Sequence, residues 1–235
     1  MSGPVMAEIP DAIEAVFMER PNRFLLIAGD GMGSRFAVHV PDPGRLRELL
    51  YPGNRLLVIP SPGEGRKTKW TLAAARLGSS WVLVNTTFHR EIASRFLLGG
   101  HSPLGRISAL RAEVKSPSGG SRFDFLVNDR LWLEVKGCTL LKNGVAMFPD
   151  APTLRGRKHV NELMEIASGG SPAGVLFLVF VNGAEYFTAN SETDPGFAEA
   201  LRTAVSAGVS VWCAEMSFDG KRVFLEGELP FRVRP

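Results

Sequence analysis

Cysteine is scarce in this chain: among 235 residues only Cys138 and Cys213 carry thiols. They show no CxxC spacing and no neighbouring histidine. A disulfide scaffold and a zinc site are therefore excluded, and buried, reduced thiols are expected. Long apolar runs are also missing. The longest, residues 173–181, falls far short of the ~20 residues a membrane helix needs. The opening MSGPVMAEIPDAIE has neither a basic start nor an apolar core. No secretory signal is expected, and the cytoplasm is the expected compartment. The four histidines, His39, His89, His101 and His159, form no ligand spacing. GDGMGS (29–34) has closely spaced glycines but no GKS or GKT behind them, so it reads as a hairpin turn and not a nucleotide loop. No GxSxG elbow, internal repeat or low-complexity segment occurs.

What remains is the composition of an ordinary globular protein. Hydrophobic residues make up 45% and charged residues 22%, which excludes disorder and collagen-like structure. The length suits one large or two small domains, with enough core to fold unstapled. The net charge of +3 is unevenly spread: +2 over residues 1–85, +4 over 86–170 and −3 over 171–235. A basic excess in the first two-thirds points weakly to a polyanionic partner such as nucleic acid.

The first ~85 residues read as short strands broken by Gly/Pro turns, at 15–18, 23–28, 34–40, 55–59, 70–77 and 81–84, with a short helix at 44–50. That pattern predicts a small OB-type barrel. Near Asn85 it changes. Helices are expected at 88–98, 153–167 and 195–207, and strands at 109–114, 122–127, 131–135, 175–181, 209–214 and 222–226. The chain is thus expected to be a mixed α/β protein, an OB-like unit over 1–85 followed by an α/β unit with a mixed sheet over 86–235.

The stretch SRFDFLVNDRLWLEVKG (121–137) carries the clearest chemistry. Asp124 lies in one strand, and Glu134 and Lys136 lie two apart in the next, so these last two share a face. Two carboxylates on rigid strands can hold Mg²⁺ or Mn²⁺, and Lys136 can orient water or stabilise developing charge. The spacing is that of the PD-(D/E)xK nuclease motif. Glu113-Val114-Lys115 is a second ExK triplet, which shows how easily the pattern arises. Downstream, the helix at 153–167 opens with Arg155, Arg157, Lys158 and His159. Cations disfavour a helix N-terminus. Phosphate binding by Arg155, Lys158 and His159 is the functional reading of that placement. In the first unit, Arg45 and Arg47 follow PDPG, and Arg66, Lys67, Lys69 and Trp70 surround a predicted loop suited to nucleic-acid backbone and base stacking.

HVPDPGRLRELLYPG (39–53), VNTT (84–87), the EVK, SRFDF and LEVKG segments, and FPDAPTLRGRKHVNELMEI (148–166) follow one another in an order that resembles the sugar fermentation stimulation protein (SfsA) family. The likeness runs over nearly the whole chain, and the last block is its most specific part. It implies an N-terminal OB-like domain, a C-terminal domain similar to PD-(D/E)xK nucleases, DNA binding, and a regulatory role in sugar utilisation. It matches Asp124, Glu134 and Lys136 to the nuclease-like triad, and Arg155, Lys158 and His159 to the basic helix. Such nucleases often carry a further Glu on the preceding helix. Here that helix offers Glu91, with Arg95 one turn on, and Glu113 is the substitute expected as third metal ligand. The expectation is a DNA-binding protein with a divalent-metal phosphodiesterase site. The alternatives are a non-cleaving DNA-binding regulator on the same fold and an enzyme of small phosphorylated molecules.

Overall fold

The computed structural model describes residues 3–61, 63, 65 and 67–233. Its elements, in chain order, are β1 (Val5–Glu8), β2 (Ile13–Asn22), β3 (Leu25–Gly29), β4 (Arg35–His39), β5 (Arg55–Pro60), β6 (Trp70–Leu77) and β7 (Ser80–Leu83). A 3-10 turn, Thr86–Phe88, leads into α1 (His89–Leu98). Then come β8 (Leu110–Lys115), β9 (Arg122–Val127), β10 (Leu131–Cys138), β11 (Leu140–Lys142), β12 (Val145–Phe148), α2 (Leu154–Ser168), β13 (Ala173–Val179), β14 (Tyr186–Ala189), α3 (Pro195–Ser206), β15 (Ser210–Phe218) and β16 (Arg222–Glu228).

Strands β2 to β6 form the expected barrel. β2 pairs with β3 and β5, β3 with β4, and β5 with β6, all antiparallel. A parallel pairing of Val38 and His39 with Trp70 and Thr71 closes it through β4 and β6. That neighbour order is the five-stranded Greek-key closure of an OB fold. Leu26, Ala28, Val38, Leu56, Val58, Leu72 and Ala74 alternate along these strands and fill the barrel.

The expected helix at 44–50 is not formed; the segment is a run of turns. Asp42 accepts the Gly44 N–H at 2.7 Å, and Asp150, far along the chain, accepts the Leu46 N–H at 2.8 Å. Leu46 takes a positive φ of 50°. That left-handed backbone at Leu46 cannot continue a right-handed helix.

Beyond the barrel, β7 runs on to β15, and the sheet continues through β13, β10 and β9 to β8. The centre, β10–β13–β15, is parallel, and β9 and β8 add antiparallel strands at one end. β13 is buried at every position, as its unbroken apolar sequence demands. β16 pairs β15, and β1 pairs β16, so the first strand of the chain lies on the second unit's sheet. A small sheet of β11, β12 and β14, absent from the sequence expectation, sits beside the crossover to β13. Its strands are only three or four residues long and carry too little periodicity to register. Helix α2 is capped by Thr153, whose Oγ1 accepts the Gly156 N–H at 3.0 Å. Its residues Val160 and Leu163 are fully buried. Both cysteines are buried and free. Among the described residues no helix is long and apolar enough to cross a membrane.

Candidate functional site

The site is built where β9 and β10 stop pairing. The last paired residues are Phe125 and Leu133, which leaves Asp124 and Glu134 facing each other one step further on. Asp124 Oδ2 accepts the Val135 N–H at 2.7 Å, replacing the ladder bond the parting strands have lost. On the other side Ala112 pairs with Phe125 and Val114 with Phe123, which places Glu113 opposite Asp124. Three carboxylates thus stand in one row across β8, β9 and β10.

The row is largely closed to solvent at Glu134. Glu134 is only 3% exposed. Its Oε1 is hydrogen-bonded by both Lys136 Nζ and His159 Nδ1, while its Oε2 is shut from solvent without a partner. Burial pushes the Glu134 carboxyl up, but Lys136 and His159 together outweigh it and the net direction is down. Asp124 moves the other way. Burial, then the charge of Glu134, raise its carboxyl to about 6 against the opposing Val135 N–H and Lys136.

His159 corrects the sequence reading. It was expected on the solvent face of α2, gripping phosphate, yet it is 4% exposed and holds Glu134. Glu162, one turn later, is also buried; its Oε1 accepts the Ser121 hydroxyl at 2.7 Å and its Oε2 has no partner. The polar stripe of α2 faces the sheet and fastens the loop that leads into β9. Lys158 joins this fastening by donating to the Gly120 carbonyl at 2.9 Å. Arg157 is occupied as well. It bonds Asp194, which also accepts the Thr153 and Phe197 amides and so ties the starts of α2 and α3 together. Arg155 and Lys158 remain exposed and, with Arg122 and Leu154, line a groove of about 410 Å³ that reaches His159.

A second opening, about 760 Å³, lies over Asp124 and is walled by Thr86, Thr87, His89, Arg90 and Glu91 at the start of α1. Glu91, not Glu113, shares this cavity with Asp124; Glu113 is taken by ion pairs to Arg90 and Arg122. Glu91 in turn is bridged to Arg95 at 3.0 Å. His89 was not singled out by the sequence. Its ring stacks on Phe180 at 5.2 Å and lies over Gly137, where a Cβ would come within 2.2 Å of it. Gly137 of LEVKG is therefore a packing requirement, and that glycine was the signal available in the sequence. Burial, then Lys136, lower the His89 imidazole to about 4, and its Nε2 is buried without a partner.

Of the barrel candidates, Arg45, Lys67 and Lys69 are exposed. Arg66 lies outside the described residues. Trp70 sits at the barrel mouth, 6.2 Å from Phe36 and half-buried against the core, and not as a free stacking platform.

Among the described residues no three His, Cys, Asp or Glu side chains converge as a ready-made metal cluster. The donor chemistry nonetheless fits a hard divalent cation. Asp124 and Glu134 supply carboxylate oxygens, and Glu134 Oε2 is a buried acceptor with nothing to accept.

A family model described as "Sugar fermentation stimulation protein RE domain" matches residues 85–222, and one described as "SfsA N-terminal OB domain" matches residues 18–84. The chain belongs to the sugar fermentation stimulation protein family. A sugar fermentation stimulation protein homolog of Methanococcoides burtonii is 41% identical over 234 residues, 96% of this chain and 94% of that protein. Another, from Thermotoga neapolitana, is 42% identical over 223 residues, 95% and 96% of the two chains. Among solved structures, Pyrococcus furiosus SfsA in complex with Ca²⁺ superposes with a TM-score of 0.88, covering 98% of this chain and 100% of that one. At 24% identity that likeness shows the fold, and it places this SfsA family member in the mixed α/β architecture with an OB barrel.

Proposed function

We propose that this SfsA family member binds DNA and hydrolyses phosphodiester bonds at a divalent-cation site formed by Asp124 and Glu134. One observation carries the reading. Glu134 is buried, its first oxygen is fixed by Lys136 and His159, and its second is left unpartnered beside Asp124. A carboxylate stripped of water and half-satisfied is costly in a purely structural role and well suited to receive a cation. Mg²⁺ or Mn²⁺ is the expected ion, and the Ca²⁺ in the Pyrococcus furiosus relative supports a hard cation with oxygen ligands. A bound ion of this kind acidifies water and neutralises charge on a phosphoryl group.

The chain's own groups do the rest. Lys136 is held by Glu134 within reach of the same space and offers an ammonium to a developing oxyanion. Arg155 and Lys158 in the groove, with Arg45 on the barrel loop, attract and orient the phosphate backbone. A second reading, DNA binding and regulation without cleavage, draws support from Glu91 and Glu113, whose carboxylates are engaged by Arg95, Arg90 and Arg122.

Cleavage of labelled linear and supercoiled duplex, single-stranded DNA and RNA, in Mg²⁺, Mn²⁺ or chelator, decides between them. Metal-dependent cleavage abolished by Glu134→Gln and Asp124→Asn, both folded, is the expected result. Binding of DNA with no cleavage under any condition leaves the regulator. A ligand whose affinity is indifferent to salt, with neither DNA cleavage nor DNA binding, turns the site over to small phosphorylated molecules.

A further inference from the structure

Glu113 is the carboxylate of the row that the site leaves unused, and its backbone is unlike that of the strand around it. It stands within β8 with a φ of 55°, the left-handed region that residues with side chains rarely adopt. Such a conformation persists only where its surroundings hold it, and it gathers at functional sites. Arg122 supplies a hold, its Nη1 donating to the Glu113 carbonyl at 3.0 Å. The Glu113 backbone is thereby fixed opposite Asp124 on the neighbouring strand, and its charge acts on that carboxyl.

The Glu113 side chain is held otherwise. Its Oε1 pairs with Arg90 Nη2, while its Oε2 lies 3.9 Å from Arg122 Nε. Arg90 belongs to the first turn of α1 and walls the cavity over Asp124. Among the described residues it is the one Lys or Arg in that wall. The Arg90–Glu113 pair thus runs from the cavity wall to the carboxylate row. Both side chains are open to water, 56% and 41% exposed. An ion pair so exposed holds weakly, because water and salt compete with it. A phosphoryl-type oxyanion offers a guanidinium two acceptors in matched geometry and draws it more strongly.

We infer that Glu113 is the third carboxylate of the cation site, kept from it by Arg90 and released when a phosphoryl-type oxyanion takes that arginine. The inference rests on the cation-site reading above and gives that site an order of assembly. In the resting state Arg90 faces Glu113. In the assembled state Arg90 faces the oxyanion and Glu113 faces the cation. Every charge is paired in both arrangements, and only two exposed side chains need to turn. Cation and oxyanion then favour each other's binding, by the same factor in either order. The engagement of Glu113 by arginines, which alone favours a non-cleaving protein, becomes the resting state of a site that its substrate completes.

The test is titration calorimetry of the full chain with Mn²⁺, in chloride and in sulfate buffers of equal ionic strength, sulfate standing in for a phosphoryl group. Sulfate should tighten Mn²⁺ binding by about tenfold. Arg90→Ala should tighten it by a similar factor in chloride alone, and sulfate should then add nothing. In a Glu113→Gln background neither sulfate nor Arg90→Ala should tighten binding, because the ligand to be released is gone. That background separates release of Glu113 from two simpler effects, the loss of a nearby positive charge and direct contact between sulfate and Mn²⁺. A gain from Arg90→Ala that survives Glu113→Gln overturns the inference, and so does the absence of any gain. If Mn²⁺ binding is lost in Glu134→Gln yet indifferent to Arg90→Ala, the inference falls and the cation site stands. If neither the unaltered protein nor Arg90→Ala binds Mn²⁺ in either buffer, the inference and the cation-site reading fall together.

Discussion

The side chain of Glu134 shows how much a single residue's neighbours decide. Lys136 and His159 share one of its oxygens and leave the other unmatched. His159 is the partner most open to test, because it touches the carboxylate and lies behind it, buried on α2. Replacing it frees Glu134 to rotate. His159→Gln should weaken Mn²⁺ binding about tenfold by titration calorimetry, with the far-ultraviolet spectrum unchanged, as expected for a group that orients a ligand. Gly137 poses a plainer question of space. Gly137→Ala should destabilise the protein by about 1–3 kcal/mol in urea unfolding, since the new methyl meets the His89 ring. The loss should shrink in a His89→Ala background, because the two positions share one volume.

At the scale of elements, α2 carries three tasks on one set of turns. Its apolar stripe packs on the sheet, its polar stripe holds Glu134 and the loop into β9, and its first two turns leave Arg155 and Lys158 exposed. Asp194 fixes where that helix begins, through the Thr153 amide, Arg157 and its own capping of α3. Burial opposes its charge, yet these donors outweigh that and hold its carboxyl below the ordinary range. Asp194→Ala removes them all at once and should cost on the order of 3 kcal/mol, read as a lower urea midpoint. The helices and most strands were legible from periodicity and glycine stops, and Asp124, Glu134 and Lys136 were legible from strand spacing. Burial of the α2 polar stripe was not. A run of Arg, His and Glu at helical spacing looks the same whether it faces water or a buried carboxylate.

In the whole molecule, the loop 41–47 ties the barrel to Thr86 and Asp150, and Asp42 with Asp150 gives the junction a pH dependence. Burial raises Asp42 to about 6, with the neighbouring charge of Asp150 adding to the rise and the Gly44 amide and Arg20 opposing it. The folded protein then holds a proton that the unfolded chain, with an ordinary value of 3.8, has released. Stability contributed by this group is therefore greatest at acid pH and is lost as pH rises through about 4 to 6. Asp42→Asn keeps an acceptor for the Gly44 amide and removes the charge. It should raise the melting temperature at pH 7.5, by an increment that fades as the scan is repeated down towards pH 4. An increment of the same size at both pH values would show that the charge of Asp42 is not its cause.

By itself the sequence determined the two kinds of architecture, the strands that carry the carboxylates and the family to which the chain belongs. Those properties rest on local periodicity, on turn chemistry and on the order of short blocks, all of which are written along the chain. Tertiary structure decided the rest. It turned residues 44–50 from helix to loop, with Leu46 in a left-handed backbone conformation and its amide held by the distant Asp150. It took His159 from the surface to Glu134, and it put Glu91 in the cavity of Asp124 while Glu113 went to arginines. The physical reason is common to all of these. The free energy of a polar group depends on which partners and how much water surround it, and folding sets both through contacts between residues far apart in the chain.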